Sequence, residues 1–388
     1  MKKLAIIALS AALFASCKKD STTPTTTTPV TTPTVTPTGG TFTSLISFNG
    51  TNGNSPWGDL IISNGILYGM TSQGGAAGDG NIFSIKTDGT GYTDLHDFDY
   101  TDGGGPDGDL VLSGTTLYGM AYAGGVYGDG VIFSISTTGS GFAVLHSFGG
   151  FNSDGLHPSG SLIMSGSLLY GMSLEGGING DGNVFSFNTS GNVYTDMYDF
   201  SGSTAQSPLG SLILSGNLLY GMAGGGLYGE GCIFSVKTSG NGYVDIFDFN
   251  GTNGSSPEGN LILSGTTFYG MTRYGGAASE GNIFSVSTTG GGFKDMFDFN
   301  VTDGTVPTGS LTLNGSTLYG MTSANGSLGG TIFSIGTTGS GFTLIGDFGT
   351  GNFIGAFPHG SLLLSNNVLY GMTYAGGTGD GTIFSYSL

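Results

Sequence analysis

The stretch SLILSGNLLYGMAGGGLYGEGCIFSVKTSGNGYVDIFDFN, residues 211–250, decides the fold. It holds four short runs: Ser211 to Leu214, Leu218 to Met222, Cys232 to Val236 and Tyr243 to Phe249. Each run alternates apolar and polar residues or is rich in β-branched and aromatic types, the pattern of a half-buried strand. Turn residues such as Ser215-Gly216 and longer glycine-rich loops separate them, and no helical periodicity intervenes. Four strands in about fifty residues make one four-stranded antiparallel blade.

Outward from that stretch the pattern recurs. The Leu-Tyr-Gly-Met step, with Phe for Leu once, places its tyrosine at Tyr68, Tyr118, Tyr170, Tyr220, Tyr269, Tyr319 and Tyr370. A loop proline precedes each copy, from Pro56 to Pro358, and a Phe-Ser pair follows, from Phe83 to Phe384. A repeat at this period signals a solenoid or a propeller. One blade alone leaves apolar side chains bare on both faces, and stacking copies around an axis buries both. The chain stops at Leu388, after the third strand of the seventh copy, while Phe42 to Phe48 matches the fourth strand of the other copies. The sequence therefore predicts an all-β, seven-bladed β-propeller of four-stranded antiparallel blades over 41–388, its N-terminal strand closing the last blade. The glycine after each Tyr lies inside a strand, where it marks close approach by a neighbouring strand or blade. Tyr and Met of that strand share one face, with Met as gap-filler between blades.

Residues 1–16 read as an export signal: Lys2 and Lys3, an apolar run from Leu4 to Ala15, then small residues before Cys17. They resemble the lipobox of bacterial lipoproteins, which implies lipidation of Cys17; an ordinary signal peptide with a chance cysteine is the alternative. The following Lys18, Lys19 and Asp20 resemble leaders of surface-displayed lipoproteins, which implies attachment to the cell envelope at the outer membrane with exposure outside, inner-leaflet retention being the alternative. Residues 17–40 are rich in Thr and Pro, too poor in apolar side chains to fold, and read as an extended tether. Membrane contact is thus expected only through the lipid on Cys17. Cys232, the one other cysteine, has no partner and reads as a small buried hydrophobe. Beyond the tether, Lys86, Lys237, Arg273 and Lys294 face 25 acidic residues, a net charge of −21. Such a surface repels phosphate backbones and excludes nucleic acid as a partner.

The Leu-Tyr-Gly strand, the Gly-Gly loop after it (Gly74-Gly75, Gly124-Gly125, Gly176-Gly177, Gly275-Gly276, Gly376-Gly377), the acidic-Gly step, the Ile-Phe strand and the Phe-bearing final strand together resemble the GloVer tandem repeat of bacterial extracytoplasmic proteins. The resemblance covers 41 to 388. This chain departs from it in carrying Met throughout where the family more often has Thr after Tyr-Gly. It implies a propeller outside the cytoplasm and no established reaction.

In such blades the inter-blade connection, Asn49 to Gly58 in the first copy, and the loop between strands two and three, Thr71 to Gly80, open on one face. Both are long, so ligands are expected there. Positions identical in every copy serve the fold, and a site has to be built from residues that vary. Trp57, Tyr122, Glu175, Arg273 and Tyr374 are the candidates, an aromatic and polar set suited to stacking on a sugar or anchoring a protein. The acids of the acidic-Gly step, Asp79, Asp129, Asp181, Glu230, Glu280 and Asp380, include weak calcium candidates in Asp79, Asp129, Asp181 and Asp380. Acids that bond their own turn are the preferred reading. No cofactor and no catalytic residue is assigned. His96, His146, His157 and His359 lack metal-ligand spacing; His96 and His146 read as blade packing, and His157 and His359, beside the loop prolines, as neighbours of the long-loop face. The leading functional reading is a non-enzymatic surface propeller binding a glycan or protein. A carbohydrate-active hydrolase or lyase using loop carboxylates, or a structural envelope spacer, are the alternatives.

Overall fold

The computed structural model describes residues 40–388, apart from 152, 203, 325–328 and 350–353. The export signal expected over 1–16, Cys17 and nearly all of the tether expected over 17–40 lie outside these residues. Among the described residues the strands form seven four-stranded antiparallel sheets, one per repeat. Blade 1 consists of Ile61–Ser63, Ile66–Thr71, Asn81–Lys86 and Thr93–Asp97. In the fourth copy the strands are Ile213–Ser215, Leu218–Ala223, Cys232–Lys237 and Val244–Asp248, within two residues of the sequence expectation. Blade 3 differs: its first two strands run Gly155–Ser165 and Leu168–Gly176, so the sheet continues up into the long loops.

Closure is as the chain ends predict. Thr41–Ser47 pairs antiparallel with Thr382–Ser387, from Thr41 opposite Ser387 to Ser47 opposite Thr382. The last blade is therefore built from both ends of the chain, and opening the ring requires breaking a sheet.

The apolar side chains lie between blades. Tyr68 and Met70 of blade 1 pack with Leu117 and Phe133 of blade 2, and across the closing seam Tyr370 and Met372 pack with Leu67 and Phe83 in the same way. At every seam the Phe that ends a fourth strand meets the Phe of the next blade's third strand. Ring centroids are 5.5 Å apart for Phe48–Phe83 at closure and 5.3 Å for Phe98–Phe133. Each such ring is fully buried and contributes roughly 1.5–3 kcal/mol, so the closing seam is held by the same contact as the others. The glycine after each Tyr makes room within its own blade. A Cβ on Gly69 would stand 2.7 Å from the Phe83 ring of the adjacent strand.

The first strand of each blade is the innermost, and just above it the backbones of neighbouring blades touch. A Cβ on Gly108 would lie 1.8 Å from the Gly160 carbonyl oxygen, and the equivalent glycines from Gly58 to Gly360 meet their neighbours at 2.1–2.4 Å. The residue after each glycine completes a ring of hydrogen bonds. The Asp59 N–H donates to Asp109 Oδ1, that of Asp109 to Ser161 Oγ, that of Ser161 to Ser211 Oγ, and that of Ser211 to Asn260 Oδ1. Asn260 then donates to Ser310 Oγ and Ser310 to Ser361 Oγ, all at 2.5–2.8 Å. The Ser361 N–H returns to Asp59 Oδ1 and closes the circle.

Gly108→Ala should lower stability by about 1–3 kcal/mol or more, because backbone, not a flexible side chain, is in the way. Gly191→Ala, whose Cβ would meet only Val193 at an ordinary 3.5 Å, is the control. Thermal melts of the two variants check this, and equal melting points would contradict the axial crowding.

Candidate functional site at the mouth of the channel

The residue before each loop proline has a left-handed backbone: Ser55, His157, Ser207, Ser256, Val306 and Phe357 at φ between 48° and 55–58°, and Gly105 at 60°. That conformation is strained for a side chain larger than glycine, and pairing holds it. The Ser55 N–H donates to the Asp380 carbonyl of the preceding blade, and the Ser55 carbonyl accepts from the N–H of Ser72, just past its own second strand. The kink turns the chain to the axis and sets the residue after the proline on the channel rim. Around the rim stand Trp57, Asp107, Ser159, Leu209, Glu258, Thr308 and His359.

In three blades the rim residue meets the residue fifteen positions later, two beyond the repeated Met. Arg273 Nη1 donates to Glu258 Oε1 at 2.6 Å, Thr308 and Ser323 hydroxyls are 2.7 Å apart, and His359 meets Tyr374 edge-on at 5.3 Å. Trp57 spans the closing seam: its ring stacks on His359 at 3.9 Å and 7°, and stands perpendicular to Tyr374 at 5.6 Å. It remains 40% exposed, so its outer face is open.

The rim encloses a pit of about 70 Å³ lined by Trp57, Asp59, Asp107, Asp109, Glu258 and His359 among others. The hydrogen-bonded ring is its floor. Beneath lies a channel of about 360 Å³ walled by Ile61, Val111, Ile163, Ile213 and Ile262. Burial pushes the Asp107 carboxyl up to about 7, helped by the charge of Asp109. Asp59 and Asp109 are both raised by burial, Asp59 further by the Asp109 charge beside it. Burial, then the Arg273 guanidinium, lowers His359 to about 4, which leaves its imidazole neutral at pH 7. Glu258 is raised by burial in spite of Arg273.

Of the sequence candidates, the structure brings Trp57 and Tyr374 into one cluster and sets Arg273 nearby. Arg273 is not a free cation, since its guanidinium is engaged by Glu258. Tyr122 lies apart, stacked on His157 at 4.7 Å, its hydroxyl raised by burial and then by Glu175 and Asp107. Glu175 lines a separate cavity of about 650 Å³ with Phe151, Leu156 and Ile178. Sequence reasoning passed over Asp107, Glu258 and the Asp59–Asp109 pair. The fixed offset of fifteen, with Glu opposite Arg and His opposite Tyr, was the available signal.

The acidic-Gly residues serve the seams. Their carbonyls accept the N–H of the strained residue in the next inter-blade loop, as Asp129 does from His157. Two of their side chains reach the loop leaving their own blade: Asp181 Oδ2 accepts from the Gly202 N–H and Glu230 Oε2 from the Ser255 hydroxyl. Among the described residues no three His, Cys, Asp or Glu side chains converge as a metal would require. Asp79, Asp129, Asp181 and Asp380 stand one to a blade. His96 and His146 stack on Phe142 and Tyr194 of the next blade, each with a carboxylate partner, Asp102 and Asp154. Cys232 is wholly buried and its thiol is pushed up to about 12 by burial.

A profile of the Gloeobacter/Verrucomicrobia repeat matches residues 24–226 and 223–384. The chain belongs to that repeat family. Comparison with curated proteins returns no match in sequence. Among solved structures, an oligogalacturonate lyase from Vibrio parahaemolyticus superposes with a TM-score of 0.59 at 10% identity, covering 89% of this chain and 93% of that one. An oligogalacturonate lyase in complex with manganese gives 0.54 at 10%, covering 84% and 86%. TolB from Acinetobacter baumannii gives 0.44 at 14%, covering 71% of this chain and 61% of that one. For the two lyases, at 10% identity, the likeness is one of fold.

The floor carboxylates bind protons more tightly in the fold than in the unfolded chain, whose aspartates titrate near 4. Their contribution to stability is therefore fullest below about pH 4 and declines as pH rises through neutrality. Asn260 already performs the same bonding role without charge. Asp109→Asn should keep the ring intact and lessen the loss of stability between pH 5 and pH 8. Denaturant melts at the two pH values check this; an identical pH dependence in both proteins would contradict it.

Proposed function

We propose that the protein is a binding module of the cell envelope, held by a lipid on Cys17 and the Thr/Pro tether, that takes a saccharide at the mouth of its channel. One observation carries the reading: a half-exposed tryptophan, fixed by a stacked histidine and a perpendicular tyrosine, beside a pit of hydrogen-bonding carboxylates. An aromatic face for the apolar side of a sugar ring, with polar groups at its edge, is a standard division of labour in ligand sites. The packing of Trp57 against His359 and Tyr374 also limits the entropy lost on binding.

Thr41–Ser47 starts on the short-turn face, opposite the mouth. Asp59 and Asp109 serve as acceptors for the floor ring, which favours recognition over turnover as the chemistry of the mouth.

Trp57 is the only tryptophan in the chain, so its fluorescence reports occupancy of the mouth directly. Titration with an oligosaccharide panel should shift that emission for at least one class of sugar. Trp57→Ala should weaken binding of that class about tenfold or more, ~1.4 kcal/mol, with the melting curve retained. Emission unmoved by every sugar, or binding indifferent to Trp57→Ala, would exclude the mouth as the site. Separately, Cys17→Ser should transfer the protein from the membrane to the soluble envelope fraction; retention at the membrane would refute the lipid anchor.

A further inference from the structure

The two faces of the propeller differ in charge. Lys86 and Lys237 end third strands and Lys294 begins a fourth, which places all three at the short-turn face; Lys294 there donates to the Thr338 carbonyl. Arg273 is the single cationic residue of the opposite, long-loop face, and Glu258 engages it. His359 adds no charge at neutral pH. Among the described residues Asp59, Asp107 and Asp109 line the pit and no Lys or Arg does. Its volume of about 70 Å³ equals roughly two waters, at about 30 Å³ each. A sugar ring does not fit inside, but a single protruding polar group does, while the ring lies on the open face of Trp57.

We infer that the protruding group is a protonated amine: the ligand is an amine-bearing saccharide whose ring stacks on Trp57 and whose ammonium enters the pit beside Asp107, above Asp59 and Asp109. The inference rests on the saccharide reading of the mouth and narrows it. An ammonium supplies three donors to carboxylate acceptors in a site shielded from water, where charge-assisted bonds are strongest. A uronate would bring a carboxylate against the carboxylates already present. The protonation of Asp107 adds a signature: its carboxyl, held near 7 in the free protein, ionises when a cation arrives, so binding below pH 7 releases a proton to solvent.

The test is calorimetry at pH 6 with three probes of equal length: glucosamine oligomers, the same oligomers N-acetylated, and oligogalacturonate. Each is titrated into the full propeller and into its Trp57→Ala and Asp107→Asn variants, in two buffers of different ionisation enthalpy. The glucosamine oligomer should bind about tenfold or more tightly than its acetylated form, and oligogalacturonate more weakly than either. Binding of the amine should release protons, and Asp107→Asn should lessen that release, the remainder coming from the Asp59–Asp109 pair, and narrow the preference. Trp57→Ala should weaken both glucosamine forms alike. If the acetylated oligomer or oligogalacturonate binds as tightly as the amine, and still through Trp57, the ammonium inference is wrong and the saccharide reading survives. If no probe binds and none shifts Trp57 emission, both fall together.

Discussion

The structure turns on a constraint at its axis. The first strand of each blade pairs on one side only, and its inner edge faces the channel with backbone N–H groups that no neighbouring strand can take. An unmatched buried donor costs roughly 1–3 kcal/mol. Each blade answers with a side-chain oxygen lent to the blade before it, from Asp109 accepting Asp59 to Asp59 accepting Ser361. Because the last donor returns to the first acceptor, no blade can leave without orphaning a group in each neighbour. The glycine just above, crowded to within 1.8–2.4 Å of where a Cβ would meet the next carbonyl, is what lets the backbones come close enough for a short side chain to bridge the seam.

The acceptors are interchangeable in that role and unequal in charge. Serine serves in four blades and asparagine in blade 5, so an axial bond needs only an oxygen one or two bonds beyond Cβ. Blades 1 and 2 use aspartate in adjacent positions, where burial opposes the ionisation of both and the Asp109 charge opposes that of Asp59 further. The fold does not require those charges, because its own other blades do without them. A desolvated pair stands where serine suffices in other blades, directly under a rim that adds Asp107.

The architecture was legible from residues because the same experiment is written seven times. A single Phe42 to Phe48 segment would be an unremarked apolar run; set against six complete copies and one lacking its last strand, it could only be the missing piece. The glycine after each tyrosine was legible as a close approach, though not that Phe83 of the same blade makes it. The mouth was harder to read. Trp57 and Tyr374 are 317 positions apart in the sequence and touch only because the ring closes between blades 7 and 1. Glu258 and Arg273 were closer to hand, since the repeat fixes their offset, but the rim position hides behind a proline and beside an invariant glycine, where variation reads as loop tolerance. The strained residue before that proline leaves no mark at all: serine, histidine, valine and phenylalanine all occupy it, because hydrogen bonds to two neighbouring elements, not side-chain identity, hold the left-handed turn.

That last point explains how a symmetric scaffold carries an asymmetric site. The left-handed turn recurs in all seven copies, strained in six and relieved by Gly105 in the second, so its cost belongs to the frame and does not change with what the following residue is. Once the backbone has been forced toward the axis, the rim side chain contributes little to the seam, and tryptophan, aspartate, leucine or histidine can be exchanged there at small cost to stability. In three blades the residue fifteen on complements it: Arg273 opposite Glu258, the Ser323 hydroxyl opposite Thr308, and the Tyr374 edge opposite His359. Rigid turns that are indifferent to their cargo permit seven independent choices around one opening. The cluster of Trp57, His359 and Tyr374 at the closing seam is one such choice, set by neighbouring blades that the chain's two ends bring together.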